Sequence, residues 1–335
     1  MDAPLVSVLV PVRDAAPTLA AALETVRRQT ERDWECVVVD DGSRDDSAAI
    51  ARGFAARDAR FRVLEAPPRG IVAALNLGLE ACRGAFVARH DGDDLMRRDR
   101  LALQRAALER DPSLDAVGAH VRMFPRDDLT GGLRAYERWL ATIDGPAAVR
   151  RERFVESPIV HPTLFARREA MQAFGYRDLG WPEDYDLVLR WLAAGREVGV
   201  VARRLVSWRD GPSRLSRTSA ACQQDRIVAC KARFLADDFL AGGDAYALWG
   251  YGDTGKQMRR ALAACGKRAA YLVDVHPRRI GQRIDGADVV APEAIARRER
   301  LPVVACVAGL GPRADLRARA AAEGLVEGRD FVCAA

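Results

Sequence analysis

A chain of 335 residues exceeds what one hydrophobic core usually organises, so two domains are expected. Its 49% hydrophobic and 30% charged residues are those of a soluble globular protein, and a net charge of +5 dispersed through both signs excludes a nucleic-acid-binding tail. No stretch reaches the ~18 unbroken apolar residues of a membrane span, and the N-terminus lacks a basic region followed by a cleavable apolar segment. The seven cysteines show no C-x-x-C pair and no metal-finger spacing, so reduced, buried thiols in a cytoplasmic protein are expected, with at most peripheral contact at the inner membrane.

The first hundred residues alternate strand and helix. Residues 5–10 (LVSVLV) form a short β-branched run, the mark of a strand buried on both faces. Residues 17–29 read as a helix with Leu19, Leu23 and Val26 on one side. A second strand at 36–39 stops at Asp40-Asp41-Gly42-Ser43, and Asp45 and Asp46 suit the start of the next helix. A strand at 61–64, a helix at 71–82 and a strand at 86–88 follow, the last ending in His90-Asp91-Gly92-Asp93-Asp94. Repeated β-α units predict a mainly parallel sheet whose ligands sit beyond the carboxyl ends of the strands. Further on, the pattern predicts helices at 98–109, 136–140 and 184–194, a polar loop at 125–132 and a strand at 163–165. Residues 213–243 read as a helical linker with a hinge at Gly242-Gly243. A second, smaller Rossmann-like α/β domain is expected from 244 to 335, with strands at 246–249, 270–273 and 303–307.

Asp91-Gly92-Asp93 places two carboxylates at i and i+2 in a turn after a strand. Oxygen ligands suit Mg²⁺ or Mn²⁺, and two carboxylates leave coordination sites open for a phosphate substrate. Asp94 is available for a further interaction. Taken alone, the tripeptide fits equally an acidic turn that opens the helix near Arg98. A calcium EF-hand does not fit, because the glutamate needed at loop position 12 is Ala102.

Four segments together carry a resemblance: VSVLVPVRD at 6–14, VVVDDGSRDDS at 37–47, ALNLGL at 74–79 and DGDDL at 91–95. In order and spacing they resemble family 2 glycosyltransferases, and the likeness covers residues 5 to 210. It implies a GT-A fold over residues 1–212, a nucleotide-diphospho-sugar donor such as a UDP-sugar, a divalent metal (Mg²⁺ or Mn²⁺), and inversion at the anomeric carbon. Carried over position by position, Pro11 and Arg13 lie beside the nucleoside, and Asp41, with Asp40, accepts from the base or ribose. Asp93 is then the direct metal ligand, Asp91 contacts metal and ribose, and Arg69 lies near the diphosphate. An Asx turn at Asp41-Gly42-Ser43 and a solvated Arg69 are the alternative readings.

WPEDYDLVLR at 181–190 resembles the family's Glu-Asp segment, which makes Asp184 the base and Glu183 its support or an acceptor contact. ESPIVHPT at 156–163 also resembles a segment of these enzymes, in which His161 meets the diphosphate or metal; a hydrogen-bonded structural histidine is the other reading. Trp181 suits stacking on a sugar, and Trp139, Trp191 and Trp208 suit the core or an acceptor wall. The acceptor would be a hydroxyl of a glycan or a lipid-linked glycan, as in polysaccharide or glycoconjugate synthesis.

Gly250-x-Gly252-x-x-Gly255 follows a strand, opens a helix and precedes Asp274 at the end of the next strand. That context permits a pyrophosphate at the helix start and a ribose diol on Asp274, or equally a module that keeps only the fold. A nucleotide-binding scaffold and a sugar-nucleotide pyrophosphorylase are the competing functions. The latter wants a glycine-rich loop after the first strand, where this chain has PVRDAAP at 11–17.

Overall fold

The structure is a computed structural model and describes residues 3–212 and 214–335. Met1, Asp2 and Ser213, the first residue of the expected linker, lie outside them. The chain divides into two compact units, the first made of residues 1–149, 159–179 and 183–214, the second of 150–158, 180–182 and 215–335.

The first unit begins with β1 (Val6–Val12), α1 (Ala16–Arg27), β2 (Trp34–Asp40), α2 (Ser47–Arg57), β3 (Phe61–Glu65), α3 (Ile71–Ala81) and β4 (Phe86–Arg89). Every residue of β1, β2 and β4 is buried, as continuous apolar runs in a covered parallel sheet should be. Val6, Val8 and Val10 pack toward Leu19, Leu23 and Val26 of α1 and Phe54 of α2. Then come β5 (Leu95–Met96), α4 (Arg100–Arg110), β6 (Leu114–Phe124), α5 (Gly131–Leu140), α6 (Pro146–Glu152), β7 (Phe165–Arg167), α7 (Arg168–Phe174), α8 (Glu183–Ala193) and β8 (Glu197–Arg209). The sheet runs β3-β2-β1-β4-β7-β6-β8-β5. β1 through β4 are parallel, β7 is antiparallel to both of its neighbours, and β6 and β8 are parallel to each other. The sheet is therefore mixed and mainly parallel, as expected.

Two expectations for the middle of the chain need correction. The strand predicted at 163–165 is Phe165–Arg167, because His161–Thr163 closes a 3-10 turn in which the Thr163 hydroxyl donates to Val160 O at 2.7 Å. The loop predicted at 125–132 ends earlier, since Thr130 caps α5 by accepting from Leu133 N.

The second unit contains α9 (Leu215–Thr218), α10 (Gln224–Asp237), β9 (Ala245–Trp249), α11 (Asp253–Ala264), β10 (Arg268–Val273), β11 (Arg283–Ile284), β12 (Ala287–Val290), β13 (Val303–Ala305), α12 (Leu310–Ala322) and β14 (Phe331–Cys333). Its six-stranded sheet runs β11-β12-β10-β9-β13-β14. All neighbours are parallel except β11 with β12. α10 packs on α11, which places that helix within this unit. All seven cysteines are free thiols. Among the described residues, no helix is long and apolar enough to cross a membrane.

Candidate active site

Strand order reverses at β1, with β2 on one side and β4 on the other, and a ligand crevice forms at such a point. The carboxyl ends are held level there: Asp41 N donates to Val12 O at 2.9 Å, and His90 N donates to Leu9 O at 3.0 Å. Beyond β2, Asp41 is fully engaged. Its Oδ1 accepts from Arg69 N at 2.7 Å and its Oδ2 from Gly70 N at 2.9 Å, with the Arg13 guanidinium at 3.5 Å. Asp41 thus folds the 69–70 loop against the strand end, and what Arg69 contributes here is its main chain, while the residue itself is exposed. Asp40 has the spare valence. One oxygen accepts from Ser43 N, and Oδ1 is buried without a partner. Pro11 is buried within β1, one residue before the strand's last position.

The acidic turn after β4 is pressed against β1. A methyl at Gly92 would meet Val12 Cγ1 at 2.9 Å, and the Thr18 hydroxyl donates to Gly92 O at 3.0 Å. The turn gathers one oxygen each of Asp91, Asp93 and Asp94 within 4.8 Å of one another. Burial, and then the charge of Asp91, push the Asp93 carboxyl up to about 6. The same causes raise Asp94, whose Oδ2 is buried without a partner while Oδ1 accepts from Arg209 N at 2.7 Å. Three crowded carboxylates with a spare buried oxygen form a donor set that fits a hard divalent cation.

Arg89, at the last position of β4, was not among the residues singled out from sequence. It is only 4% exposed and its guanidinium bonds to Asp91. It also draws on the charge of Glu183, and it favours ionisation of Asp93 and Asp184. One buried cation therefore sits among carboxylates from two places in the chain. An apolar strand ending in arginine just before the acidic turn is the signal that would have found it.

The second group of acids opens α8. Asp186 fixes this helix, accepting from Arg177 at 2.7 Å and from Arg190 at 2.7 Å, while Arg190 also donates to Phe174 O and Gly175 O. Burial, then the charge of Asp184, lift Glu183 to about 7. Burial lifts Asp184 to about 6, against the Tyr185 N–H that donates to its Oδ1 at 2.7 Å. His161 Nδ1 lies 3.8 Å from Glu183, and its Nε2 is 2.9 Å from the Tyr176 hydroxyl. Burial, and secondarily Arg89, hold the imidazole neutral. Tyr176 is tied in turn to Asn76 of α3, whose amide donates to Tyr176 O at 3.0 Å and accepts from Tyr176 N at 2.9 Å. Tyr176 and Asn76 thus give His161 and Glu183 a fixed seat.

The remaining sequence candidates fall elsewhere. Trp191 is fully buried, and Trp139 stacks on Tyr136 at 5.4 Å, so both serve packing. Trp208 lies half-exposed under Arg214, 4.1 Å from its ring. Trp181 clusters with the second unit, as do the three glycines and Asp274.

The glycosyl transferase family 2 model matches residues 7–175, half of the chain. The EpsE protein of Bacillus subtilis is 30% identical over 198 residues, covering 57% of this chain and 68% of EpsE. The O-antigen biosynthesis protein RfbC of Myxococcus xanthus is 29% identical over 257 residues, 72% of this chain but 18% of RfbC. Among solved structures, S. aureus TarS 1-349 in complex with UDP-GlcNAc superposes with a TM-score of 0.55 at 14% identity, over 77% of this chain and 71% of that one. At that identity the likeness concerns the fold. The stretch matched by the family model runs from β1 through α7 and so takes in both strand-end acids and the turn after β4. A pyrophosphorylase is set aside on the same ground, and the chain belongs to glycosyl transferase family 2, a family of enzymes that transfer sugars.

Proposed function

We propose that this glycosyltransferase moves a sugar from a nucleotide-diphospho-sugar, a UDP-sugar in the first instance, to an acceptor hydroxyl with inversion and with the help of Mg²⁺ or Mn²⁺. The observation that carries the reading is the pairing of two acidic groups around Arg89: Asp91 with its neighbours on the donor side, Glu183 and Asp184 on the other. Asp91 and Asp93 would hold the ion, with Asp94 behind them. A divalent cation there supplies positive charge where a diphosphate departs.

The chain's own residues do the rest. Asp40 Oδ1, buried and without a partner, accepts the imide N–H of the base, while Pro11 and Arg13 border the nucleoside. Asp41 keeps the 69–70 loop in place beside it. On the acceptor side Asp184 takes the hydroxyl proton as the oxygen attacks the anomeric carbon, on the face opposite the leaving nucleotide. A single displacement of this kind inverts the centre through an oxocarbenium-like transition state. Its Oδ1 is bonded to the helix N–H, so Oδ2 receives the proton. Glu183 borders the acceptor, and its raised affinity for protons keeps a second full negative charge from building beside the base. A glycan or lipid-linked glycan is the acceptor class, in keeping with O-antigen synthesis by the relative RfbC. The enzyme would work in the cytoplasm, peripherally at the inner membrane where its acceptor is lipid-linked.

Replacing Asp93 by Asn should weaken metal-dependent donor binding at least tenfold, whereas Asp184→Asn should leave binding intact and lower turnover by about 10²- to 10⁴-fold. Calorimetric titration with UDP-sugars and Mn²⁺, beside turnover assays, separates the two. Equal loss of donor affinity in both variants would contradict the assignment.

A further inference from the structure

The second unit carries a cavity of about 380 Å³ that the transfer reaction does not use. It lies where strand order reverses a second time, with β10 on one side of β9 and β13 on the other, beyond the carboxyl ends of all three. Trp249, Val275 and Leu316 give it apolar walls, and its charged lining is Arg319 with Asp315 nearby and Arg279 paired to Asp274 at 2.8 Å. Arg319 has no acidic partner among the described residues, although Asp315 stands one turn before it on α12 and lines the same cavity. An arginine that ignores a carboxylate at i−4 and borders a cavity is placed for an anion from outside.

The glycine motif divides into two roles. Gly250, at φ +94, leaves β9 so close to β13 that a methyl group would meet Cys306 O at 2.8 Å. A methyl at Gly255 would sit 2.0 Å from Gly250 O, so the first turn of α11 rides directly on the loop. Those two glycines are needed for the fold. Gly252 is not: its φ is −77, and an added Cβ would meet nothing within 4 Å. It stands at the N-cap, where a serine or aspartate would stabilise the helix, and no side chain caps α11. It also lines the cavity. A bare backbone at this point exposes main-chain N–H groups to whatever enters, opposite two arginines.

Asp274 narrows the ligand. Its Oδ2 accepts from Arg279 at 2.8 Å and its Oδ1 from His276 N at 2.9 Å, so the acid expected to hold a ribose diol is engaged within the protein. A dinucleotide needs two such halves, and the cavity volume lies near the lower end of the range for small-molecule pockets.

We propose that this cavity is a second nucleotide site, taking one nucleoside mono- or diphosphate, with the phosphate over residues 250–252 between Arg279 and Arg319 and the base against Trp249 and Leu316. Binding here requires no metal. The test is equilibrium binding of UDP, GDP, ADP and AMP to the full chain in EDTA, for the native protein, Gly252→Val and Arg319→Glu. Gly252→Val intrudes on the phosphate position at a site with room for a side chain, and Arg319→Glu changes an exposed residue, so thermal melting should be unchanged in at least one of them. Saturable binding of one of these nucleotides, weakened about tenfold or more in a variant that melts normally, is the expected result. Binding absent up to about 1 mM, or equally tight in both variants, overturns the site. Arg319→Glu keeps the two assignments apart: binding in EDTA that it leaves intact belongs to the first unit and overturns this site, and binding that it loses belongs to the second.

Discussion

At the scale of single residues the proposed chemistry turns on carboxylates that burial makes reluctant to ionise. Asp184 is raised to about 6 from an ordinary 3.8, mainly by burial. A base must be ionised to work, so kcat/KM should fall as pH drops through about 6, and Asp184→Asn should remove that limb along with most of the rate. A pH–rate profile flat down to pH 5 would exclude Asp184 as the base. The same shift has a cost in stability. A carboxyl that holds its proton more tightly when folded destabilises the fold as pH rises from 3.8 toward about 6, the reverse of a salt-bridged acid. Asp91, Asp93, Glu183 and Asp184 were legible only through the family resemblance, because spacing alone fits an acidic turn or a helix start equally well. Arg89 and Tyr176 were not, since an arginine at a strand end and a tyrosine in a turn look ordinary until the fold sets them among acids.

At the scale of elements, packing explains segments that chemistry does not. The ALNLGL stretch of α3 binds no ligand in this account. Asn76 ties the helix to Tyr176, and Gly78 lets it settle on the sheet, since an added methyl would lie 2.2 Å from Leu9 Cδ1 and 2.8 Å from Val39 Cγ2. Gly78→Ala should therefore destabilise the protein by about 1–3 kcal/mol through overpacking. Gly53→Ala, inside α2 with nothing within 4 Å of the new methyl, should stabilise it by about 0.5–1 kcal/mol. Denaturant titration of both proteins checks the pair, and matching changes of one sign would refute the packing argument. Elements with clean periodicity, β1, β2, β4, α1 and α3, could be placed from sequence to within a residue or two. β6 and β8 could not. The pairing of β6 with β8 shifts register at Ala119/His120 and again at His120/Val121, and β8 carries Arg203 and Arg204 side by side. Those breaks erase the alternation that marks a strand.

At the scale of the whole molecule, residues 150–158 and 180–182 cluster with the C-terminal unit although they precede the expected boundary. Glu152, for instance, is buried with Arg317 at 2.8 Å and Arg313 at 3.9 Å. Such interleaving is invisible to a reading that cuts a chain at composition changes, because it is made by tertiary pairing. The acidic centre, by contrast, comes from elements that the first unit assembles by itself, and the proposed transfer depends on that centre's holding a cation. The most direct measurement is release of free nucleotide from a panel of nucleotide sugars by the native chain, with Mn²⁺, with EDTA, and with Mn²⁺ restored after EDTA. Release that stops in EDTA and returns with the metal, and that Asp93→Asn fails to regain, is the predicted result. Turnover that continues unchanged in EDTA would contradict it.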